Sequence, residues 1–424
     1  MLISFSVSNF LSFKDKVTLS LEKAAIRKHP EHIIGGKYLS GATLYGANAS
    51  GKTNLLEALN MLASCIRPDS FTDMLRMNTF LMRPEASIEF EADFISNQTR
   101  YSYKITVSSE EITDEELFFS TSENVRELIF KRKGVEKKFG PLYEKEDWYK
   151  HRSFPKNVTL LSKLLSDGIV DNDVKNKEHI VNVAEFFRTI ILFNHQTEIQ
   201  PAAVYNRLQM EEFHKFILDL MKRADVGITD IEFKPIDNIP QESVARDPEL
   251  SKLVPGAILC RSINNEYVFF AIEKGKVNGR RLALKHGEVS FGLAQESAGT
   301  VKLFKLGFAL YARKIVKNSL LLIDEFDGMF HPSLAKVLLQ SLLENHSDGQ
   351  IIVTLHNTML LSHEIWRVDE IWFTEKNSAG ESRLYPLTDI NPRFDSVLEK
   401  DYIKGKYGAV PFLGGEAQWK NIIK

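Results

Sequence analysis

The sequence Gly-Ala-Asn-Ala-Ser-Gly-Lys-Thr occupies residues 46–53 and has the G-x-x-x-x-G-K-[ST] spacing of a phosphate-binding P-loop. A short apolar run precedes it, and residues 55–63 carry apolar side chains at helical spacing. In this strand–loop–helix context the glycines let backbone N–H groups and the helix N-terminus point at anionic oxygens. The pattern predicts that Lys52 reaches the β- and γ-phosphates of a nucleotide and that the Thr53 hydroxyl binds Mg²⁺. The residues predicted to bind the nucleotide are Gly46, Asn48, Ser50, Gly51, Lys52, Thr53 and Asn54.

Length and composition place the chain among ordinary globular proteins. Its 424 residues allow two or three lobes, and 43% hydrophobic with 26% charged residues indicates a sizeable folded core. The net charge of −2 provides no global attraction to nucleic acid, so any such contact needs a local patch. Two isolated cysteines argue for a reducing compartment and against a zinc site or disulfide framework. There is no signal-peptide pattern and no apolar run of roughly 20 residues, so we expect a cytoplasmic protein without membrane contact.

A second motif follows a fully apolar run. Residues 320–323 are all aliphatic and end in Asp324 and Glu325, the Walker B pattern. Because ligands of open α/β sheets bind at the carboxyl ends of strands, Asp324 is expected to hold Mg²⁺ and Glu325 to orient and deprotonate the attacking water. The next apolar run, residues 351–355, leads into His356. If this strand neighbours Walker B, His356 stands where a γ-phosphate sensor would act.

A polar turn at residues 295–300 opens a long amphipathic helix, which is predicted over residues 300–316. Its serine hydroxyl and exposed N–H groups predict a second anion site at a helix N-terminus. One nucleotide in one chain does not need two such sites. Two facing chains do, because each can then close the P-loop of the other.

The pattern of elements predicts an α/β fold: an ABC-ATPase-like P-loop head with an antiparallel β layer and an inserted helical lobe. Alternating apolar and polar residues at 86–94 and 101–107 indicate the antiparallel layer. Helical spacing appears at 158–165, 178–194 and 210–222, after which short strands return, with turns predicted at 274–275 and 278–279. The predicted division has three parts: residues 1–147 for the N-terminal part of the head, 148–285 for the insertion, and 286–424 for the C-terminal part.

These motifs, in this order, resemble the ABC-type ATPase heads of the SMC/RecF/OLD group, and more closely the RloA/AbiL-like ATPases of bacterial defence loci. The resemblance covers residues 1 to about 95 and 286–424. The stretches that carry it are residues 9–13, the P-loop, residues 296–300, Asp324-Glu325 with His331-Pro332, residues 354–358, and the tail at 369–389 and 405–411. The ATPase motifs are typical of the whole superfamily, whereas the tail is the part that resembles the RloA/AbiL-like family.

The resemblance implies ATP-driven head-to-head dimerisation, in which Ser297, Gly299 and Thr300 contact the γ-phosphate held by the opposite subunit. Two departures stand out. The signature turn is Ser-Ala-Gly-Thr rather than Ser-Gly-Gly-Gln, and His331 stands where many SMC-type heads have the D-loop aspartate. No Toprim-like cluster of acids follows the ATPase motifs. The resemblance also implies a separate effector protein, RloB-like or a nuclease, acting with a homodimer or higher homo-oligomer of this chain.

Together these patterns predict a Mg²⁺-dependent ATPase that senses or gates a partner effector, in bacterial anti-phage defence. The catalytic residues are predicted to be Glu325, Lys52 and His356, with Thr53 and Asp324 as the metal ligands. Two alternatives stay open: a RecF-like DNA-repair ATPase, and an ATP-bound scaffold that holds an inhibitor or toxin with negligible turnover. Nucleic acid is a possible partner, although the basic clusters at 131–133 and 280–281 are interpreted as solvated hairpin turns.

Overall fold

The computed structural model describes residues 1–67, 85–122, 125–145, 153–236, 241–345, 349–393 and 396–411. The contacts within the chain divide it into two compact units. The head unit consists of Met1–Asn194 and Val316–Lys424, and the second unit of His195–Ile315. The two predicted internal boundaries, after residues 147 and 285, therefore differ from the structural ones, for reasons given below.

The head unit contains a seven-stranded sheet in which every neighbouring pair is antiparallel. Strands β6 (Ile88–Ser96) and β7 (Thr99–Val107) are joined by Asn97 and Gln98, whose positive φ angles of 45° and 63° suit a tight two-residue hairpin. Buried and partly exposed residues alternate along β6, so one face of the sheet is apolar. The predicted antiparallel layer is confirmed. Its strands in spatial order are β10 (Glu136–Phe139), β9 (Val125–Lys133), β8 (Ile112–Ser122), β7 (Thr99–Val107), β6 (Ile88–Ser96), β1 (Leu2–Ser8) and β2 (Val17–Ser20).

The nucleotide-site motifs lie on a second, six-stranded sheet of the head unit. Its strands in spatial order are β11 (Ile190–Phe193), β17 (Ser319–Ile323), β18 (Gly349–Thr354), β5 (Gly41–Tyr45), β19 (Ile371–Lys376) and β20 (Ser382–Pro386). All pairs are parallel except β19 with β20. Strands β5, β17 and β18 are buried along their whole length, which explains why their sequences are mainly apolar. Because β18 lies between β17 and β5, the loops that follow these three strands meet at one edge. A short hairpin of β3 (Ile33–Ile34) and β4 (Tyr38–Leu39) precedes β5.

Helices cover both sheets of the head unit. They are Lys52–Ala63, which we call the P-loop helix, Leu160–Ser166, Lys177–Arg188, Pro332–Glu344, and Leu398–Ile403, which we call the tail helix. The helix Lys177–Arg188 packs Phe186 on Phe94 of β6, with the ring centroids 4.0 Å apart. It ends before β11, which pairs with the Walker B strand, so the prediction of helix through residue 194 is wrong. These long-range contacts place residues 153–194 in the head and not in an insertion.

The second unit is a mixed α/β body. Its sheet runs β12 (Asp230–Ile236), β15 (Lys276–His286), β14 (Glu266–Glu273) and β13 (Ile258–Ile263), with β16 (Val289–Gly292) paired to β15. Its helices are Pro201–Leu208, Glu211–Arg223, Gln241–Arg246 and Ala298–Ile315. Phe213 and Phe308 join two of these helices, with ring centroids 4.7 Å apart, so the helix after the signature turn belongs to this unit. The turn predicted at residues 278–279 is wrong, because β15 continues through it.

One predicted basic turn contains a structural arginine. Lys131 and Lys133 are exposed as expected, but Arg132 is fully buried. Its guanidinium donates to the carbonyl oxygens of residues 155, 156 and 158 and lies 3.6 Å from the buried carboxylate of Glu115. Arg132 therefore ties the segment before the helix Leu160–Ser166 to the antiparallel sheet.

Among the described residues, no helix has the length and apolarity that a membrane crossing requires.

Candidate nucleotide-binding site

The P-loop connects β5 to the P-loop helix and fits tightly against β19 and β20. A Cβ on Gly46 would lie 2.3 Å from the carbonyl oxygen of Thr374, and one on Gly51, where φ is +113°, would lie 2.8 Å from Ser382 Oγ. The Ser50 and Thr374 hydroxyls are hydrogen bonded at 2.6 Å. A side chain at either glycine would clash with β19 or β20. The observed conformation of the loop therefore requires glycine at both positions.

The segment at residues 9–13 supports this loop from outside. Ser12 Oγ accepts from Asn54 Nδ2 at 2.6 Å and lies 2.8 Å from Ser382 Oγ, which in turn lies 2.7 Å from the Ser50 carbonyl oxygen. The amide of Asn54, predicted to bind nucleotide, is thus used to hold the helix against Ser12. Asn48 lies exposed on the loop. Ser382 is a supporting residue that the motif analysis missed, because it lies more than 300 residues further along the chain.

Lys52 is buried within the loop. Its ammonium donates to the carbonyl oxygens of Gly46 at 2.8 Å and Ala47 at 3.0 Å, and only 5% of the residue is exposed. Burial lowers the pKa of Lys52 to about 8, although the nearby carboxylates of Asp324, Glu325 and Asp327 act in the opposite direction. The amine is therefore held beside the backbone that would bind phosphate, with a charge that is lost near pH 8.

We expect this pKa to make nucleotide affinity depend on pH. Below about pH 8 the amine is protonated and attracts phosphate, whereas above it the neutral amine dominates. We expect the affinity for ATP to fall as pH rises from about 7.5 to 9.5, approaching about tenfold per pH unit well above the pKa. Equilibrium binding of a fluorescent ATP analogue measures the slope. In Lys52→Arg the guanidinium stays protonated throughout, so its profile should be flat, and an equal slope in this variant would assign the effect to another group.

The Walker B strand brings Asp324 to the P-loop helix. Thr53 Oγ1 donates to Asp324 Oδ2 at 2.8 Å, and Thr354 Oγ1 donates to Asp324 Oδ1 at 2.6 Å. A hydroxyl and a carboxylate oxygen side by side are the hard oxygen donors that Mg²⁺ takes in nucleotide sites, usually with water and phosphate completing its shell. The residues present therefore fit the predicted metal. Thr354 fixes the carboxylate from the opposite side, so the rotamer of Asp324 is set by β18.

Thr354 also accepts from the backbone N–H of Glu325 at 2.7 Å, so one hydroxyl organises both Walker B acids. We expect Thr354→Val to lower the free energy of unfolding by about 1–3 kcal/mol, because it leaves a buried N–H and a carboxylate oxygen without a partner. Urea denaturation measures this. Thr43→Val on the adjacent strand is the matched control. The Thr43 hydroxyl is buried, and no partner for it is found among the described residues, so its removal should cost nothing. Equal losses in both variants would contradict the organising role.

The side chains of Glu325 and His356, two of the predicted catalytic residues, face each other. Glu325 has a left-handed backbone, with φ of 47°, and its carboxylate lies 4.0 Å from His356 Nε2. Both side chains are partly exposed, in contrast to the buried Asp324. The pKa of His356 is lowered, mainly by burial and also by the charge of Lys52, which favours the neutral imidazole. The pair can therefore hold a water or a phosphate oxygen without a fixed positive charge on the ring.

Asp327 positions this loop and was not identified from the sequence. Its buried carboxylate accepts from the backbone N–H groups of His356 and Asn357. The signal that could have found it is its position three residues after Asp324, on the same strand end. The structure thus brings together Lys52, Thr53, Asp324, Glu325 and His356, all within the head unit.

The signature turn lies in the second unit. Ser297 Oγ accepts from the backbone N–H of Thr300 at 3.1 Å and is 2.8 Å from the Thr300 hydroxyl, which caps the helix Ala298–Ile315. Ser297 is exposed and Thr300 is buried, whereas Gly299 lies in the first turn of the helix. Before the turn, His286 Nε2 lies 2.8 Å from the Glu296 carboxylate. The predicted helix start at residue 300 is two residues late, because Ser297 is the cap.

Residues 42–362 match the model of a family described as "AAA domain, putative AbiEii toxin, Type IV TA system". The match includes the P-loop, the Walker B acids and His356, and spans well over half of the chain. The chain belongs to this family. It is therefore an ATPase domain of the AAA/ABC type, built on the P-loop head described above.

Solved structures similar to this AAA-family chain include heads of SMC proteins. The SMC head domain from Thermotoga maritima has 13% identity and a TM-score of 0.40, covering 91% of this chain and 98% of that one. An Smc head with an extended coiled coil, bound to the C-terminal domain of ScpA derived from Pyrococcus furiosus, has 13% identity and a TM-score of 0.41, covering 96% and 98%. An SmcHead bound to the C-winged helix domain of ScpA has 12% identity and a TM-score of 0.45, covering 91% and 97%. No curated protein matches the chain.

Proposed function

We propose that this protein is a Mg²⁺-dependent ATPase whose heads dimerise on ATP and thereby gate a partner effector in bacterial anti-phage defence. The observation that carries the ATPase part is the direct hydrogen bond between Thr53 and Asp324, with Lys52 and Glu325 next to it. Two motifs separated by 271 positions in the sequence meet at one sheet edge. This is the arrangement that ATP hydrolysis needs, because positioning and charge stabilisation supply most of its catalysis.

Each head residue then has a distinct role. Lys52 and the backbone N–H groups of the P-loop bind the β- and γ-phosphates, and Thr53 with Asp324 holds Mg²⁺. When bound, the metal neutralises charge on the phosphate oxygens. Glu325, exposed beyond the metal pair, orients the attacking water and takes its proton. His356 helps to hold this water at the γ-phosphate. Because the pKa of His356 is lowered, its neutral ring can accept a hydrogen bond from the water.

The dimer part of the proposal rests on the signature turn. Ser297, Gly299 and Thr300 form a capped helix N-terminus, which favours anions because its first N–H groups have no helical partner. In the proposal this turn binds the γ-phosphate held by the P-loop of the opposite subunit. His331 stands at the D-loop position and caps the helix Pro332–Glu344 through a hydrogen bond with Ser333 N at 3.3 Å.

The partner part rests on family evidence. The description of the matching family refers to a toxin of a type IV toxin–antitoxin system, which is a setting of defence and of paired gene products. The RloA/AbiL-like tail motifs point the same way. We therefore propose a separate effector, RloB-like or a nuclease, whose activity follows the nucleotide state of the heads.

The test is the mass of the protein in solution, measured with and without ATP and Mg²⁺ alongside phosphate release. An ATP-dependent increase to a dimer or larger assembly, followed by phosphate release, is the expected result. Phosphate release from an assembly whose mass never changes would exclude ATP-driven dimerisation. ATP binding without phosphate release in a single-turnover experiment would instead favour the scaffold alternative. Salt-sensitive, ATP-dependent duplex binding would favour the RecF-like alternative.

A further inference from the structure

The C-terminal tail has no role in the nucleotide chemistry proposed above, although the structure shows what part of it contacts. Residues 397–410, which we call the tail segment, consist of the tail helix and a return turn. Gly405 and Gly408 have φ angles of 74° and 68°, and Ala409 has a φ of 57°. Tyr402 Oη donates to the Ala409 carbonyl oxygen at 3.0 Å and closes the segment on itself. Burial raises the pKa of Tyr402 to about 12, so its hydroxyl is a hydrogen-bond donor at neutral pH.

An aromatic cluster fixes the tail segment to the root of the P-loop. The ring of Tyr402 stacks on Phe373 of β19 with centroids 5.5 Å apart, and meets Tyr45 edge to face at 6.0 Å. Tyr407 lies 5.8 Å from the same Phe373 ring, and its carbonyl oxygen accepts from Tyr385 Oη at 2.8 Å. Tyr45 is the last residue of β5 and directly precedes Gly46. The tail segment therefore packs on the point at which the P-loop leaves its strand.

A polar contact connects the tail helix to the catalytic loop. Glu399 Oε1 accepts from Thr358 Oγ1 at 3.0 Å, and Thr358 lies two residues after His356. Tyr45 Oη lies 3.4 Å from the carbonyl oxygen of Asn357, at the long end for a hydrogen bond. Asp327 holds the backbone N–H groups on the Walker B side. The loop that carries His356 is thus held from two directions, by Asp327 and by the tail segment.

We propose that the tail segment is a positioning element of the nucleotide site and that Glu399 is its positioning residue, acting on His356 through Thr358. This inference rests on the proposed ATPase function for its kinetic consequence. Its structural content, that Glu399 restrains residues 355–360, is independent of hydrolysis. Only Asn357 separates His356 from Thr358 in the sequence, so release of the Thr358 side chain changes the position of His356 directly.

The test is a double-mutant cycle with Glu399→Ala and Thr358→Val. Each variant should lower kcat by about three- to tenfold, which corresponds to one hydrogen bond, while the KM for ATP stays within about twofold. The double variant should lose no more than either single variant, because both remove the same contact. Glu399→Gln keeps an acceptor oxygen and should retain nearly the wild-type rate. Lys400→Ala, an exposed neighbour on the same helix, is the control.

Amide hydrogen exchange of residues 355–360 in the nucleotide-free protein is the second readout. Glu399→Ala and Thr358→Val should speed exchange there, and Glu399→Gln and Lys400→Ala should not. If exchange is unchanged in Glu399→Ala, or if the two substitutions are additive in kcat, the positioning role is wrong. If the wild-type protein released no phosphate, the ATPase proposal would be wrong instead. The amide hydrogen exchange of residues 355–360 would still decide the role of Glu399.

Discussion

Lys52→Ala is expected to lose at least about a hundredfold in affinity for ATP. The ammonium is the one motif side chain that carries positive charge into the loop, and each charge-assisted hydrogen bond to phosphate contributes about 1.5–3 kcal/mol. Two such bonds correspond to about two orders of magnitude or more in affinity. Isothermal titration with ATP and Mg²⁺ measures the change, and phosphate release should disappear at ATP concentrations that saturate the wild type.

The same substitution should leave the fold intact. Burial lowers the pKa of Lys52, so the folded protein disfavours the charged amine and loss of this charge should not unfold it. Thermal unfolding checks this point. Lys336→Ala provides a surface control, because Lys336 makes an exposed ion pair with Glu364 and is not part of the P-loop. Normal ATP affinity in Lys52→Ala would remove the basis of the nucleotide-site assignment.

Glu325→Gln is expected to retain ATP binding and to lower the rate of hydrolysis by about 10²–10⁴-fold, the usual contribution of a general base. The carboxamide has nearly the same shape but cannot take a proton from water. Because the hydroxyl of Thr53 and the carboxylate of Asp324 remain in place, binding of ATP and metal should change little. In the proposed cycle, slow hydrolysis accumulates the ATP-bound dimer, so this variant should stay enlarged in solution long after the wild type has returned to its starting mass.

Single-turnover phosphate release with mass measurement separates the possible roles of Glu325. Glu364→Gln, at an exposed position, controls for the loss of one negative charge. If Glu325→Gln failed to bind ATP, Glu325 would be a structural residue and not the general base. Its backbone N–H already has a structural partner in Thr354. Hydrolysis at the wild-type rate would assign the base to another group.

Local sequence was informative wherever function needs a fixed spacing in a short segment. The P-loop and the Walker B acids are recognisable because a strand, a turn and a helix must follow one another within a few residues. The antiparallel layer was predictable for a similar reason, since alternation along β6 and β7 reports a sheet with one buried face. The mainly apolar strands of the parallel sheet are also a local signal, because a strand buried on both faces needs apolar side chains along most of its length.

The sequence was a poor guide where a boundary or a partner depends on distant residues. Residues 177–188 have helical spacing in either unit, and long-range contacts such as the stacking of Phe186 on Phe94 place them in the head. The helix Ala298–Ile315 follows a head motif in sequence, but packs with the helix Glu211–Arg223 through Phe213 and Phe308. Composition cannot report such choices, because the same apolar face can be buried against either body.

By itself, then, the sequence identified a P-loop and a matching Walker B strand, and with them the residues that are proposed to bind phosphate, metal and water. Only the tertiary structure decided how those residues are held: Thr354 orients both acids, Asp327 and Glu399 restrain the His356 loop, and Ser12 with Ser382 supports the P-loop. The physical reason is range. A motif is written in consecutive residues, whereas a supporting hydrogen bond joins side chains that folding alone brings together.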